Sequence, residues 1–156
     1  MLQLFMAIAL GWSTFAAQLY PIGPDPQLSP GSYCTHPDEY RYPEHIPYCE
    51  RNVSKHTKWD VINSYNEKFH YDIGRGDRDQ FKIDHLIPLC AGGSNEVHNL
   101  WPQHESVYKI TDPLEDIACQ KMAEGHLLQK RAVELLIQAK MHLEQVPQIL
   151  ALLQAL

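Results

Sequence analysis

Residues 81–103 read FKIDHLIPLCAGGSNEVHNLWPQ, and the fold is decided by how this stretch divides. Phe81 to Leu89 alternates and then finishes apolar, the pattern of a short buried strand, and Pro88 stops it by removing a ladder donor. Ala91-Gly92-Gly93-Ser94-Asn95 is turn chemistry, because Gly accepts positive φ while Ser and Asn bond locally to the backbone. Val97 to Trp101 reads as the return strand, and after Pro102 the pattern turns helical. Strand, glycine-rich turn, strand and helix form a compact ββα unit that sets Asp84 and His85 at the end of the first strand, facing the helix. The expected fold class is therefore α+β, with this small hairpin-plus-helix finger surrounded by further helices.

Beyond the unit, a helix is expected over 104–110. A second follows over 113–125, with Asp112 as cap, Pro113 in the first turn and Gly125 as stop. The last helix, 126–145, places Leu128, Ala132, Leu135, Leu136 and Ala139 on one stripe, and Pro147 interrupts it. On the other side, Trp59, Val61, Ile62, Tyr65 and Phe69 recur at helical spacing behind a Ser54 cap, which predicts a helix over 54–71. Asp72 to Asp79 is a Gly-bearing turn. Residues 18–53 are dense in Pro and Tyr and read as an arm laid over a domain spanning 54–150.

The chain has 156 residues, 44% of them hydrophobic and 21% charged, which suits one core and one domain. A formal net charge of −6 argues against a surface built throughout for polyanions, although it leaves room for local patches. Leu2 to Ala17 is an apolar run without a charged side chain that ends in small residues, so 1–17 reads as a signal peptide, one lacking the usual basic start. The expected location is secreted or periplasmic. Four cysteines in an exported chain favour disulfides. Of the three pairings, Cys34 with Cys49 closes a local loop on the arm, and Cys90 with Cys119 ties the central unit to a later helix. The sequence contains no Cys-x-x-Cys pair, so a zinc knuckle is not indicated.

A carboxylate beside an imidazole suits phosphodiester hydrolysis. The carboxylate holds a hard divalent cation, and the neutral His takes a proton from water. Asp84-His85-Leu86-Ile87-Pro88, then Gly92-Gly93, then Asn99-Leu100-Trp101-Pro102-Gln103 resembles the HNH endonucleases of the ββα-metal (His-Me finger) superfamily, and among them the small secreted bacterial type. The resemblance implies His85 as general base, Asp84 as metal ligand and Asn99 as the residue that ties the turn and orients the base. It also implies one divalent cation, magnesium first, with manganese, calcium, zinc or nickel as alternatives. In the family the helix supplies a further ligand as His or Asn nine residues after the middle Asn, where this chain has Tyr108. Glu105, one helical step before Tyr108, is the preferred substitute for a magnesium or calcium site, and His104 the substitute for zinc or nickel.

Arg75, Arg78, Lys82 and Lys109, together with Lys55 and Lys58, flank the motif and are the candidate substrate-binding cations, equally readable as scattered solvated charges. Contact through phosphate alone implies non-specific cutting of nucleic acid, DNA in preference to RNA. The expected function is an exported, monomeric, metal-dependent endonuclease, and an inhibitor protein is a conceivable partner. The rival expectation is a disulfide-stapled ββα module that binds protein or nucleic acid after catalysis has lapsed.

Overall fold

A computed structural model describes residues 18–156. The signal-peptide expectation for 1–17 lies outside the described residues. The architecture is α+β, with two small antiparallel hairpins and four helices. In chain order these are β1 (Glu39–Arg41), β2 (Ile46–Tyr48), α1 (Lys55–Phe69), β3 (Phe81–His85), β4 (Leu100–His104), α2 (Glu105–Ala123), α3 (Gln129–Met141) and α4 (Val146–Gln154). β1 pairs with β2, and β3 pairs with β4 in a register that sets Phe81 opposite His104, Asp84 opposite Trp101 and His85 opposite Leu100.

Helix α1 starts where its cap predicts, because the Ser54 side chain accepts a hydrogen bond from the Thr57 amide at 3.0 Å. It ends at His70, whose φ of 58° places it in the left-handed region. Strand β3 is shorter than the expected 81–89. After His85 the chain turns inward, with the Leu86 amide bonded to the Asn99 carbonyl. The return strand lies further along than 97–101: Val97–Asn99 forms one 3-10 turn and pairing begins at Leu100.

Two further differences concern proline. The expected break between helices at residues 110–113 is absent, and α2 runs unbroken through Pro113. A proline there removes one backbone bond. The helix continues because Val107, Thr111, Leu114, Ala118 and Met122 form one buried stripe on both sides of it. Pro147 likewise does not stop the chain. It occupies the first turn of α4, where its missing N–H would have had no partner, and α4 continues to Gln154. The last long helix also starts later than 126, because Leu128 is its exposed cap residue.

Two apolar clusters result. One joins α2, α3 and α4 with Ile46, Ile87 and Ala91, and the other joins α1, β3 and β4 with Ile73 and Val107. Asp84 and His85 sit at the seam between them. The disulfides pair Cys34 with Cys49 and Cys90 with Cys119, at Cα separations of 5.8 and 5.9 Å. The arm contains the β1–β2 hairpin, unanticipated in so Pro-rich a stretch, and it straps the glycine turn through Cys34 N to Gly92 O and Ser94 N to Ser32 O.

Candidate functional site

The loop joining β3 to β4 is cinched by one side chain. Asn99 is fully buried, and its Oδ1 accepts from the Ile87 amide at 2.9 Å while its Nδ2 donates to the carbonyls of Ile87 and Ser94, each at 2.9 Å. Gly93 lets the two sides approach this closely: a Cβ there would lie 1.8 Å from the Ile87 carbonyl oxygen. The pinch holds His85 at the end of β3, 2% exposed, on the wall of a cavity of about 210 Å3. Arg51, Asp84, Glu115 and the Cys90–Cys119 bridge share that wall.

The tautomer of His85 follows from its neighbours. The Asn95 Nδ2 donates to the Glu50 carbonyl at 2.7 Å, which turns Oδ1 toward His85 Nε2 at 3.1 Å, so Nε2 carries the hydrogen. At Nδ1 the nearest group is Arg51 Nη2, 3.4 Å away, and a guanidinium can only donate. Nδ1 is therefore the unprotonated nitrogen, and it accepts from Arg51 on the wall of the cavity. Burial pushes the imidazole down to about 4; the Asn95 bond opposes this and the Arg51 charge adds to it. His85 is thus neutral at ordinary pH.

Asp84 meets two ammonium groups. Lys140 Nζ lies 3.0 Å from its Oδ2, and Lys82 Nζ lies 3.4 Å from its Oδ1. Burial favours the protonated carboxyl, but Lys140 and Lys82 outweigh it and hold Asp84 below its ordinary value. Lys140 also donates to the His85 carbonyl at 2.5 Å and stands 2.6 Å from Glu115 Oε1. The Glu115 contact is Coulombic, because Oε1 lies off the direction of a hydrogen bond. Burial raises the Glu115 carboxyl above its ordinary value, Lys140 opposes the rise and Asp84 adds to it. Lys82 closes the group with bonds of 2.6 and 2.8 Å to Asp112.

The helix does bring carboxylates to Asp84, but they are Asp112 and Glu115, and oxygens of the three lie within 4.8 Å of one another. The expected substitutes lie elsewhere. His104 is opposite Phe81, three residues along the hairpin from the level of Asp84, or roughly 10 Å at strand rise. There its Nδ1 caps α2 by accepting from the Ser106 amide, and its ring stacks on Tyr20 at 3.8 Å between centroids. Glu105 pairs with Lys109 at 2.5 Å on the exposed side of α2.

Three carboxylates are the donor type that magnesium takes. Here they are already compensated by two ammonium groups, one of them fully buried. As arranged, the set does not fit a divalent ion.

The expected cationic groove is not assembled from the expected residues. Arg75 pairs with Asp72, Arg78 donates to the Phe81 carbonyl at 2.6 Å, and Lys109 is held by Glu105. Only Lys82 reaches the site, and it is bound to Asp112 and Asp84. The cation that faces the cavity is Arg51, which the sequence reading passed over. It sits two residues after Cys49, so the Cys34–Cys49 bridge fixes the strand end that delivers it. Lys140 was legible in principle, being one charge in the apolar stripe at the residue four after Leu136.

No family model matches this chain, and no curated protein or solved structure matches it at a significant level.

Proposed function

We propose that the chain hydrolyses phosphodiester bonds of nucleic acid, as an exported endonuclease whose β3–β4–α2 segment serves as a ββα finger. The observation that carries the reading is the His85 imidazole: buried, neutral at ordinary pH, held by Asn95 at Nε2 so that Nδ1 is the basic nitrogen, and paired there with Arg51 on the wall of a cavity. When Arg51 turns from Nδ1 to the phosphate, a water takes its place beside His85 and gives its proton to Nδ1. Its oxygen bonds to phosphorus, the bond to the leaving oxygen breaks, and that oxygen takes a proton from solvent or from the imidazolium. Arg51 contacts the phosphate oxygens, where a guanidinium gives charge-assisted bonds.

Asn95 fixes the ring and Asn99 fixes the loop that carries it. With one cation facing the cavity, contact is through the backbone, which supports non-specific cutting. Two disulfides support an oxidising location, and among the described residues no helix is long and apolar enough to cross a membrane.

The test is nicking of supercoiled plasmid and cleavage of RNA by wild type and His85→Ala, each with magnesium, with manganese and with chelator. Wild type is expected to cut, and the variant to be slower by about 100- to 10,000-fold while remaining folded. Equal rates, or no cutting by wild type under any condition, would exclude the reading.

One observation favours the rival, non-cutting module: the acidic group is already saturated by lysines. On that reading, wild type and His85→Ala retain nucleic acid in a filter assay and neither cuts it.

A further inference from the structure

We propose that the Lys140 ammonium is the resident cation of this site, standing between Asp84 and Glu115 in place of a divalent ion. Three geometric facts carry the inference. Nζ lies within 3.0 Å of three oxygens, donating to Asp84 Oδ2 and the His85 carbonyl and forming an ion pair with Glu115 Oε1. The lysine comes from α3, 56 residues beyond Asp84 in sequence, so long-range folding rather than local chain geometry delivers it. Finally, its side chain is 1% exposed on a helix whose neighbouring Leu136 and Ala139 belong to the core.

A divalent ion entering here would have to share the Asp84 and Glu115 carboxylates with which Nζ is already paired. The ammonium would have to stay beside it, because the side chain that carries it is buried. Repulsion between the two cations in that setting works against the ion. Magnesium also binds oxygens at about 2.0–2.1 Å. The Lys140 contacts at 2.5–3.0 Å hold the same oxygens at ammonium distances.

Lys140 acts on the chemistry through other groups. It neutralises Asp84 beside the cavity and anchors the His85 carbonyl, so it is a positioning residue. The consequence for turnover, cleavage that survives chelation, rests on the nuclease reading. The exclusion of metal does not.

The decisive measurement therefore needs no substrate. Free Mn2+ is titrated against wild type, Lys140→Met and Lys140→Met/Asp84→Asn and followed by electron paramagnetic resonance. The lysine side-chain 15N signals of wild type are recorded in parallel. Wild type is expected to show no saturable Mn2+ site below millimolar concentration, together with one exchange-protected ammonium signal that Mn2+ does not bleach. Lys140→Met is expected to bind one Mn2+ at least 100-fold more tightly than wild type, and the added Asp84→Asn to abolish that binding.

A micromolar Mn2+ site in wild type, or bleaching of the ammonium signal, overturns the proposal. So does a folded Lys140→Met that binds no ion. If Lys140→Met does not fold, the two wild-type measurements decide. In the cleavage assay, chelator is expected to change the wild-type rate less than twofold. A wild type that neither cuts nor binds Mn2+ refutes the nuclease reading and leaves the resident cation standing.

Discussion

Replacing Asn99 with Ala tests whether the loop beneath His85 is held by one side chain. The amide is fully buried and bonds the Ile87 amide, the Ile87 carbonyl and the Ser94 carbonyl, with a longer fourth contact of 3.4 Å from the Ser32 amide. Truncation leaves the first three of these groups without that partner, in a place where Ile87 and Ser94 are themselves buried. Each stranded buried group costs about 1–3 kcal/mol, and allowing for local relaxation the total is about 3–5 kcal/mol. That is a large share of the ~5–15 kcal/mol that holds a domain together. With an m-value of about 2 kcal/mol/M in urea, the midpoint should fall by roughly 2 M at unchanged m. Asn99→Asp keeps the acceptor for the Ile87 amide and loses both donors, so it should recover less than half of the loss. The control is Asn63→Ala on the exposed face of α1, expected within about 0.5 kcal/mol of wild type. Urea unfolding followed by circular dichroism reads all three. An Asn99→Ala protein within about 1 kcal/mol of wild type would refute the claim that this amide, rather than the β3–β4 ladder, sets the loop.

The pH dependence of stability should carry the signature of His85. Its folded value is pushed down to about 4 by burial, whereas in the unfolded chain it titrates near 6.5. As pH falls the unfolded state takes the proton first. The contribution is therefore complete above about 6.5 and is lost on the way down to about 4, by about 3 kcal/mol in all. Glu115, shifted upward by burial, acts in the opposite direction, so the difference between wild type and His85→Gln isolates the imidazole. Equal pH slopes from 7 to 4.5 in urea unfolding would remove this assignment. His104→Ala should cost about 1–2 kcal/mol through loss of the α2 cap and the Tyr20 stack, whereas Glu105→Ala should unfold at the wild-type urea midpoint. Both should leave the cleavage rate within twofold of wild type. A 100-fold loss of rate in either, at unchanged fold, would restore it as a site residue.

What could be read from the sequence was whatever depends on local chemistry. The Ser54 cap, the strand carrying Asp84 and His85, and a positive-φ glycine in the turn, which is Gly92 at 85°, are statements about neighbours in sequence, and the folded chain shows them. Both disulfide pairings were also legible, since each closes a modest loop. Proline was over-read twice. Its local penalty is a few kcal/mol, which a buried stripe on both sides of Pro113 outweighs, and at Pro147 a first-turn position removes the penalty. The cations were misjudged for a related reason. Nearness in sequence to the motif put Arg75, Arg78 and Lys109 forward, but each pairs with an acceptor within three or four residues and none lines the cavity. Arg51 and Lys140 reach the site only because the arm and α3 fold onto it, and no local pattern records that.

The charges at the seam have to be considered together. Asp84, Asp112 and Glu115 converge because two elements, β3 and α2, converge, and a cluster of carboxylates at the edge of the core without compensation would drive protonation or unfolding. Some cation must accompany them in the folded state. A diffusible ion would make folding and activity follow its concentration, while a lysine built into α3 is present whenever the chain is folded. That choice has a cost, since an apolar residue in the α3 stripe would pack without desolvating a charge. Lys140 is stable there only with its acids in place, and Asp84 stays ionised at ordinary pH largely because Lys140 is there. The two are therefore energetically coupled. In a double-mutant cycle, Lys140→Met and Asp84→Asn together should destabilise by less than the sum of the single changes, by 1 kcal/mol or more at the ~0.5–3 kcal/mol scale of contacting groups. Strict additivity would mean that the ammonium and the carboxylate are neighbours without being partners.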